Sequence, residues 1–220
     1  MNRAQATPER FVGFVTLLRG LYAVTPDEPE TEVLAHKVRK ALAGGAGIVQ
    51  YRNKSASTEL RREQGTVLLA LCRGAGIPLI VNDDLELALA IGADGLHLGR
   101  DDKDIAGARA MLSKGGLLGA SCYDSLELAF AARQAGADYV AFGSAFLSAT
   151  KPGTTRAPLS LLREAKALLD SPIVAIGGVT TENAHAVVEA GADAIAVISA
   201  LFDAPDIERR AREFVRIFQR

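Results

Sequence analysis

The 220-residue sequence has little cysteine, few aromatic residues and no long hydrophobic run. Its two cysteines, Cys72 and Cys122, form no Cys-x-x-Cys pair, which argues against a disulfide-built scaffold and is typical of a reducing compartment. Apolar stretches such as Val67 to Cys72 are far too short to span a membrane, and the N-terminus has no signal-peptide pattern. The sequence therefore predicts a cytoplasmic protein with no membrane segment.

Neither sign of charge predominates, because the sequence has 25 Lys+Arg and 26 Asp+Glu, for a formal net charge of −1. This balance argues against a polybasic surface for nucleic acid or lipid, which needs an excess of Lys and Arg. If the protein binds an anionic small molecule, a local cluster of Lys and Arg side chains must bind it. With 49% hydrophobic residues, the chain can bury a sizeable core without metals or disulfides.

Eight short apolar runs rich in strand-forming residues alternate with stretches that carry apolar residues at helical spacing. The runs are 21–25, 48–52, 79–82, 95–98, 117–121, 139–143, 173–177 and 194–199. Several are preceded by the same short motif of small residues, such as Gly136-Ala137-Asp138 and Gly191-Ala192-Asp193. This motif is typical of a helix C-cap followed by a tight turn into a buried strand. The pattern predicts an α/β fold, a single-domain (β/α)8 TIM barrel over residues 20–220, preceded by a helical N-terminal extension over residues 1–19.

Three polar residues alternate at the end of the second predicted strand, namely Gln50, Arg52 and Lys54. Because side chains of a strand alternate between its two faces, all three are expected to point into the mouth of the barrel. An amide, a planar guanidinium and a compact ammonium together suit a pyrophosphate better than a single carboxylate. The other interpretation is a solvated loop in which backbone groups satisfy Gln50.

Carboxylates follow the third and fourth predicted strands. Asp83 comes directly after Asn82, and Asp102 lies just beyond the fourth strand. Carboxylates at adjacent strand ends can share Mg²⁺, which takes one or two of them and completes its shell with waters and phosphate oxygens. The residues predict a magnesium site at Asp83 and Asp102, with an N-cap of the following helix as the alternative for each.

Hydroxyl groups follow the fifth and sixth predicted strands. Ser121 ends the fifth, and no histidine lies near it in sequence to activate it, so a role as nucleophile is not expected. Ser148, Thr150 and Lys151 follow the sixth strand and offer two hydroxyls and an ammonium to an anion. A surface loop without a ligand is the alternative there.

A second anion site is expected after the seventh and eighth strands, where Gly178 and the pair Ile198-Ser199 stand. Loops at this place in barrels frequently hold a phosphate through backbone N–H groups, and glycine allows the ligand to approach closely. His97 lies within the fourth strand with no second histidine beside it, so it is expected to be a hydrogen-bonded core residue and not a metal ligand.

An ordered set of short motifs runs from Leu21 to about Leu201 and covers most of the chain. The motifs are Tyr22-Ala23-Val24-Thr25, Gln50-Tyr51-Arg52-Asn53-Lys54, Asn82-Asp83, Ala93-Asp94-Gly95-Leu96-His97-Leu98-Gly99, Asp102, Gly119-Ala120-Ser121, Ala137-Asp138-Tyr139, Thr150-Lys151, Ile176-Gly177-Gly178 and Ser199-Ala200. Taken together and in this order, they resemble the thiamin-phosphate synthase (thiamin-phosphate pyrophosphorylase) family.

The resemblance implies a cytoplasmic transferase that joins hydroxymethylpyrimidine diphosphate to hydroxyethylthiazole phosphate, with Mg²⁺ as cofactor, and releases pyrophosphate. It also implies a role for each matching position. The diphosphate is held by Gln50, Arg52, Lys54, Ser121 and Lys151, with Asn82 beside it, while Asp83 and Asp102 ligate Mg²⁺ and Ser148, Thr150, Gly178, Ile198 and Ser199 complete the substrate-binding set. Arg52, Lys54, Ser121 and Lys151 are the residues expected to act on the leaving group.

Three positions depart from the pattern that this family often shows. Arg100 stands in place of Gln, Ser148 in place of Thr and Tyr123 in place of His. A thiazole tautomerase of the same superfamily is one alternative. In that branch a histidine in the region of Tyr123 resembles the proton carrier, and its absence here, with Lys54, Asp102 and Lys151 retained, favours the synthase. A phosphate-binding barrel without turnover is the other alternative.

Overall fold

Eight parallel strands close into a barrel, as the sequence predicts. The computed structural model describes residues 18–99, 104–113, 115–146 and 156–219. The strands are β1 (Gly20–Val24), β2 (Ile48–Tyr51), β3 (Leu79–Asn82), β4 (Gly95–Leu98), β5 (Leu117–Tyr123), β6 (Tyr139–Phe142), β7 (Ile173–Ile176) and β8 (Ala194–Val197). Each strand pairs with the next along the chain, and β8 pairs with β1. The predicted strands lie within a residue or two of these bounds.

Helices follow the strands around the outside of the barrel. In the described parts of the chain they are α1 (Thr31–Ala43), α2 (Thr58–Ala75), α3 (Leu85–Ile91), α4 (Ile105–Met111), α5 (Leu126–Gln134), α6 (Leu159–Leu168), α7 (Ala184–Glu189), α8 (Ser199–Phe202) and α9 (Ile207–Ile217). Several begin at a polar cap. Ser57, for example, accepts the backbone N–H of Leu60, which satisfies a donor that the first turn leaves free.

Strand alternation divides the core into two layers. Inward-facing side chains such as Tyr22, Ile48, Leu117 and Tyr139 fill the barrel itself. The alternate residues pack outward against the helices in a larger apolar cluster, in which a fully buried leucine contributes about 1.5–3 kcal/mol relative to an exposed one. Leu18 packs into the inner cluster, whereas residues 1–17 of the expected N-terminal extension lie outside the described residues.

The repeated Gly-Ala-Asp motif has a structural role at the amino-terminal end of the barrel. The Asp94, Asp138 and Asp193 carboxylates accept the backbone N–H groups of Leu79, Leu118 and Ile173, at the start of neighbouring strands. Arg73, Arg109 and Lys166 lie within 4.0 Å of these three carboxylates in turn. These ties stabilise the end of the barrel away from the strand carboxyl ends, which leaves that second end to ligand chemistry.

Candidate active site

A cleft of ≈ 660 Å³ opens at the carboxyl ends of β2 and β3. It is lined in part by Arg52, Lys54, Asn82 and Asp83. Two of the three residues that alternate after β2 therefore share one cleft with the amide and carboxylate that follow β3. The sequence predicted that these side chains would meet, because the carboxyl ends of parallel strands lie at the same end of a barrel.

The backbone of Arg52 is held by Thr25, a fully buried residue just past β1. Arg52 donates its N–H to the Thr25 hydroxyl oxygen at 2.8 Å, and that hydroxyl donates to the Arg52 carbonyl at 2.8 Å. The Arg52 side chain is 16% exposed, and its Nη1 lies 3.2 Å from Oδ1 of Asp27. The loop after β1 thus orients this cation without occupying all five of its donors.

Asp27 also holds the second cation's loop, since its Oδ1 accepts the backbone N–H of Lys54 at 2.9 Å. The Lys54 side chain is 56% exposed, and its Nζ lies 3.5 Å from Oδ2 of Asp83. Neither Asp27 nor Thr25 had a predicted role in the site, although Thr25 ends the first of the family motifs. The signal that identifies them is the one used for the other strands: both follow β1 at its carboxyl end.

Asp83 adopts an uncommon backbone conformation for a residue other than glycine, with φ of 62°. Its Oδ1 accepts the backbone N–H of Gly99 at 3.0 Å, and its Oδ2 accepts from Nδ2 of Asn82 at 2.6 Å. The N-cap of α3 is its neighbour Asp84, which accepts the N–H of Leu87. The capping alternative is therefore wrong for Asp83, whose carboxylate lies in the cleft.

The oxygen atoms of Asp83 fit a magnesium ion. Each carboxylate oxygen has two acceptor positions, so the bonds from Gly99 and Asn82 leave acceptor capacity. Within the described residues no three His, Cys, Asp or Glu side chains gather to form a metal cage. Mg²⁺ usually takes only one or two carboxylates alongside substrate phosphates and water. The capping residue of α4 is Asp104, and Asp102 lies outside the described residues.

Ser121 has a histidine partner that its neighbours in sequence do not reveal. Nε2 of His97, on the adjacent strand β4, lies 2.9 Å from the Ser121 hydroxyl oxygen. No histidine is near Ser121 in sequence, but the pairing of β4 with β5 brings His97 beside it. His97 is, as predicted, a buried and hydrogen-bonded core residue.

The His97–Ser121 pair is poorly suited to nucleophilic catalysis. Burial lowers the pKa of His97 to about 4, although the charge of Asp83 opposes this shift. An imidazole with so low a pKa is a weak base for a serine proton at neutral pH. Its other nitrogen, Nδ1, meets the hydroxyl of Tyr139 at 3.1 Å and not a carboxylate. Ser121 is therefore placed to form hydrogen bonds.

Gln50 turns into the barrel below the cleft, where it is 5% exposed. Its Nε2 donates to the Tyr22 hydroxyl at 2.9 Å. The partner of this N–H is a side chain, whereas the alternative considered from the sequence was a backbone group. Its partner comes from β1, the strand that pairs with β2.

The residues expected to form a second anion site lie on neighbouring strand ends, because β7 pairs with β8. Gly178 has φ of 65°, and its carbonyl accepts from Nδ2 of Asn183 at 3.0 Å. Ser199 is exposed and begins α8, directly after Ile198. The loop with Ser148, Thr150 and Lys151, and also Arg100, lie outside the described residues.

Comparison with known proteins decides the family. The family model described as thiamine monophosphate synthase matches residues 21–201. The thiamine-phosphate synthase of Thiobacillus denitrificans is 55% identical over 90% of this chain and 94% of its own, and that of Nitrosospira multiformis is 47% identical over 100% of this chain and 92% of its own. The chain belongs to the thiamine monophosphate synthase family.

A solved structure agrees with this membership of the thiamine monophosphate synthase family. The thiamine phosphate pyrophosphorylase of Pyrococcus furiosus has a TM-score of 0.82 and 37% identity, over 92% of this chain and 96% of its own. The predicted family, barrel fold and enzymatic character are confirmed, and neither alternative function gains support. Among the helices of the described residues, none is long and apolar enough to cross a bilayer.

Proposed function

We propose that the enzyme joins hydroxymethylpyrimidine diphosphate to hydroxyethylthiazole phosphate, giving thiamin phosphate and pyrophosphate. The observation that carries the proposal is the meeting of two cations and a carboxylate in one cleft, with Lys54 Nζ 3.5 Å from Asp83 Oδ2 and Arg52 beside them. Cations neutralise the negative charge of a diphosphate, and a carboxylate can hold the Mg²⁺ ion that coordinates its oxygens.

In the proposed reaction the thiazole nitrogen forms a bond to the methylene carbon of the pyrimidine, and the bond from that carbon to the diphosphate oxygen breaks. The electron pair leaves with the pyrophosphate. Arg52, Lys54 and Lys151 stabilise the negative charge that grows on the leaving group, and Ser121 donates a hydrogen bond to it. Because the attacking atom belongs to the substrate, no enzyme nucleophile is required, in keeping with the weak basicity of His97.

Asp83 and Asp102 are the residues proposed to hold Mg²⁺, with Asn82 orienting Asp83 through their 2.6 Å hydrogen bond. When bound, the ion supplies charge stabilisation to the diphosphate. The carboxylate of Asp83 is set in place by the Gly99 N–H, which ties the end of β3 to the end of β4. Gln50 completes the diphosphate side of the site in this proposal.

The thiazole phosphate is assigned to the loops after β6, β7 and β8. The residues proposed to bind it are Ser148, Gly178, Ile198 and Ser199, and Thr150 belongs to the same substrate-binding set. The pairing of β7 with β8 supports this assignment, since it brings the two loops to one edge of the mouth. Positive φ at Gly178 allows a backbone that other residues rarely adopt.

The test mixes the two substrates with the enzyme and Mg²⁺ and measures pyrophosphate and thiamin phosphate together. Equal amounts of both products are expected, and neither should form when one substrate or Mg²⁺ is omitted. Pyrophosphate without thiamin phosphate would indicate a hydrolase. Binding of both substrates without either product would indicate a phosphate-binding barrel.

Replacing Ser199 with Asp is expected to raise the KM for the thiazole phosphate by roughly tenfold, because a carboxylate repels the phosphate. The KM for the pyrimidine diphosphate should change little. Steady-state kinetics with each substrate varied in turn measures the two values. Ser113→Asp adds the same charge at an exposed residue between α4 and β5, far from the strand carboxyl ends, and should leave both unchanged. Equal increases in both KM values for Ser199→Asp would show that the two anion sites are not separate.

A further inference from the structure

A chain of hydrogen bonds crosses the interior of the barrel and joins two residues of the proposed diphosphate site. From Gln50 Nε2 it passes to the Tyr22 hydroxyl at 2.9 Å and on to the Tyr139 hydroxyl at 2.8 Å. It continues to His97 Nδ1 at 3.1 Å and from His97 Nε2 to the Ser121 hydroxyl at 2.9 Å. The three middle members, Tyr22, Tyr139 and His97, have no role in the proposed reaction.

The interior of the barrel has space and polar partners for this chain of hydrogen bonds. Tyr22 and Tyr139 are 1% and 0% exposed and lie among apolar side chains, where an unpaired hydroxyl is costly. Gly119, the residue of β5 beside them, has no side chain to separate Tyr139 from His97. A Cβ at Gly119 would lie 2.1 Å from Cζ of Tyr139 and 2.5 Å from Nδ1 of His97, so only glycine fits without a shift.

The chain has a direction, because each hydroxyl carries one proton and a neutral imidazole carries one N–H. Gln50 Nε2 can only donate, so the Tyr22 oxygen accepts that bond. When each hydroxyl of the chain accepts one bond and donates one, the Tyr22 proton goes to Tyr139. Tyr139 in turn donates to Nδ1 of His97, which leaves the N–H on Nε2 for the Ser121 oxygen.

The direction decides what Ser121 offers to a ligand. With His97 donating to its oxygen, the Ser121 hydroxyl proton is free to point into the barrel mouth. In the opposite order Ser121 would donate its proton to His97 and present only lone pairs to an anion. Hydrogen-bond donors, and not acceptors, stabilise a diphosphate.

We propose that Tyr22, Tyr139 and His97 are positioning residues that order the protons of this chain, so that Ser121 always meets the diphosphate as a donor. The proposal rests on the proposed function, which places the diphosphate at Ser121. It predicts that a change deep in the barrel weakens pyrophosphate binding through Ser121 alone.

The experiment is a double-mutant cycle with pyrophosphate and Mg²⁺ as the probe, read by calorimetry. Tyr139→Phe removes the donor to His97 and is expected to weaken pyrophosphate binding by about tenfold in the otherwise wild-type enzyme. In the Ser121→Ala background the same change should have almost no effect. The KM for the thiazole phosphate should stay the same, which a general loosening of the barrel would not allow.

Tyr51→Phe is the matched control for removing a buried tyrosine hydroxyl. Tyr51 is 1% exposed, but its hydroxyl donates to Gln64 outside the barrel wall and takes no part in the chain. Its effect on pyrophosphate binding, whatever its size, should add to that of Ser121→Ala. Tyr22→Phe provides a second test if Tyr139→Phe does not fold, and it should show the same dependence on Ser121 with a smaller effect.

Additive effects of Tyr139→Phe and Ser121→Ala, or of Tyr22→Phe and Ser121→Ala, would overturn the proposal while leaving the proposed function intact. Failure of the wild-type enzyme to bind pyrophosphate would overturn both.

Discussion

Replacing Asp83 with Asn should lower turnover at a fixed Mg²⁺ concentration on the order of 10²-fold and raise the Mg²⁺ concentration that gives half-maximal rate. Asparagine removes the charge and keeps an oxygen that can accept the Gly99 N–H. Its NH2 group replaces the oxygen that accepts from Asn82, and the Asn82 amide can turn to accept from it. Asparagine is also among the residues that tolerate positive φ best, so the backbone at φ of 62° is retained. The loss should therefore report the metal and not the fold. Initial rates across a Mg²⁺ titration measure both quantities.

The adjacent carboxylate gives a matched control. Asp84 caps α3 by accepting the Leu87 N–H, and asparagine is an equally good N-cap. Asp84→Asn should therefore change neither the rate nor the Mg²⁺ requirement appreciably. A larger shift in the Mg²⁺ requirement for Asp84→Asn than for Asp83→Asn would contradict the assignment of Asp83 to the metal.

Arg52→Ala is expected to lower kcat by roughly 10²–10³-fold, the range for losing one group aimed at developing charge. The loop should keep its position, because Thr25 holds the Arg52 backbone and not its side chain. Arg52→Lys should recover only part of the rate, since an ammonium cannot offer the planar pair of donors that a diphosphate accepts. The measurement is single-turnover pyrophosphate release, which separates chemistry from product release.

Arg62→Ala controls for the loss of one positive charge. Arg62 is exposed on α2, the helix that follows the Arg52 loop. Its removal should leave the single-turnover rate within about twofold of wild type, as surface changes of this kind cost little. Equal losses for Arg52→Ala and Arg62→Ala would indicate long-range electrostatics in place of a direct contact with the leaving group.

Local patterns in the sequence were enough to predict which residues come together in much of the site. Arg52 and Lys54 follow β2 at alternate positions, and Asn82-Asp83 follow β3, so a rule about strand ends brought them to one cleft. The same rule did not identify Asp27, which accepts from the Arg52 guanidinium and from the Lys54 backbone N–H. No second charged residue alternates with Asp27, so the sequence shows no charge pattern after β1.

Backbone conformation decided what local patterns left open at Asp83. The sequence reads Asp83-Asp84 before a helix, and either residue is a reasonable cap. With the left-handed backbone at Asp83, Asp84 becomes the N-cap of α3 and the Asp83 carboxylate lies against Gly99 and Lys54. A preference for positive φ is too weak in aspartate to be read from sequence.

By itself, the sequence determined the eight β/α repeats, the closed barrel and the end of the barrel that carries the chemistry, because strand and helix periodicity are local properties of the chain. Tertiary structure alone decided that His97 lies against Ser121 and that Gln50 reaches Tyr22. These contacts join side chains on paired strands, and that of Tyr22 with Tyr139 crosses the barrel between β1 and β6. These side-chain contacts depend on closure of the barrel and on the space left by Gly119. Neither can be read from the spacing of residues in the sequence.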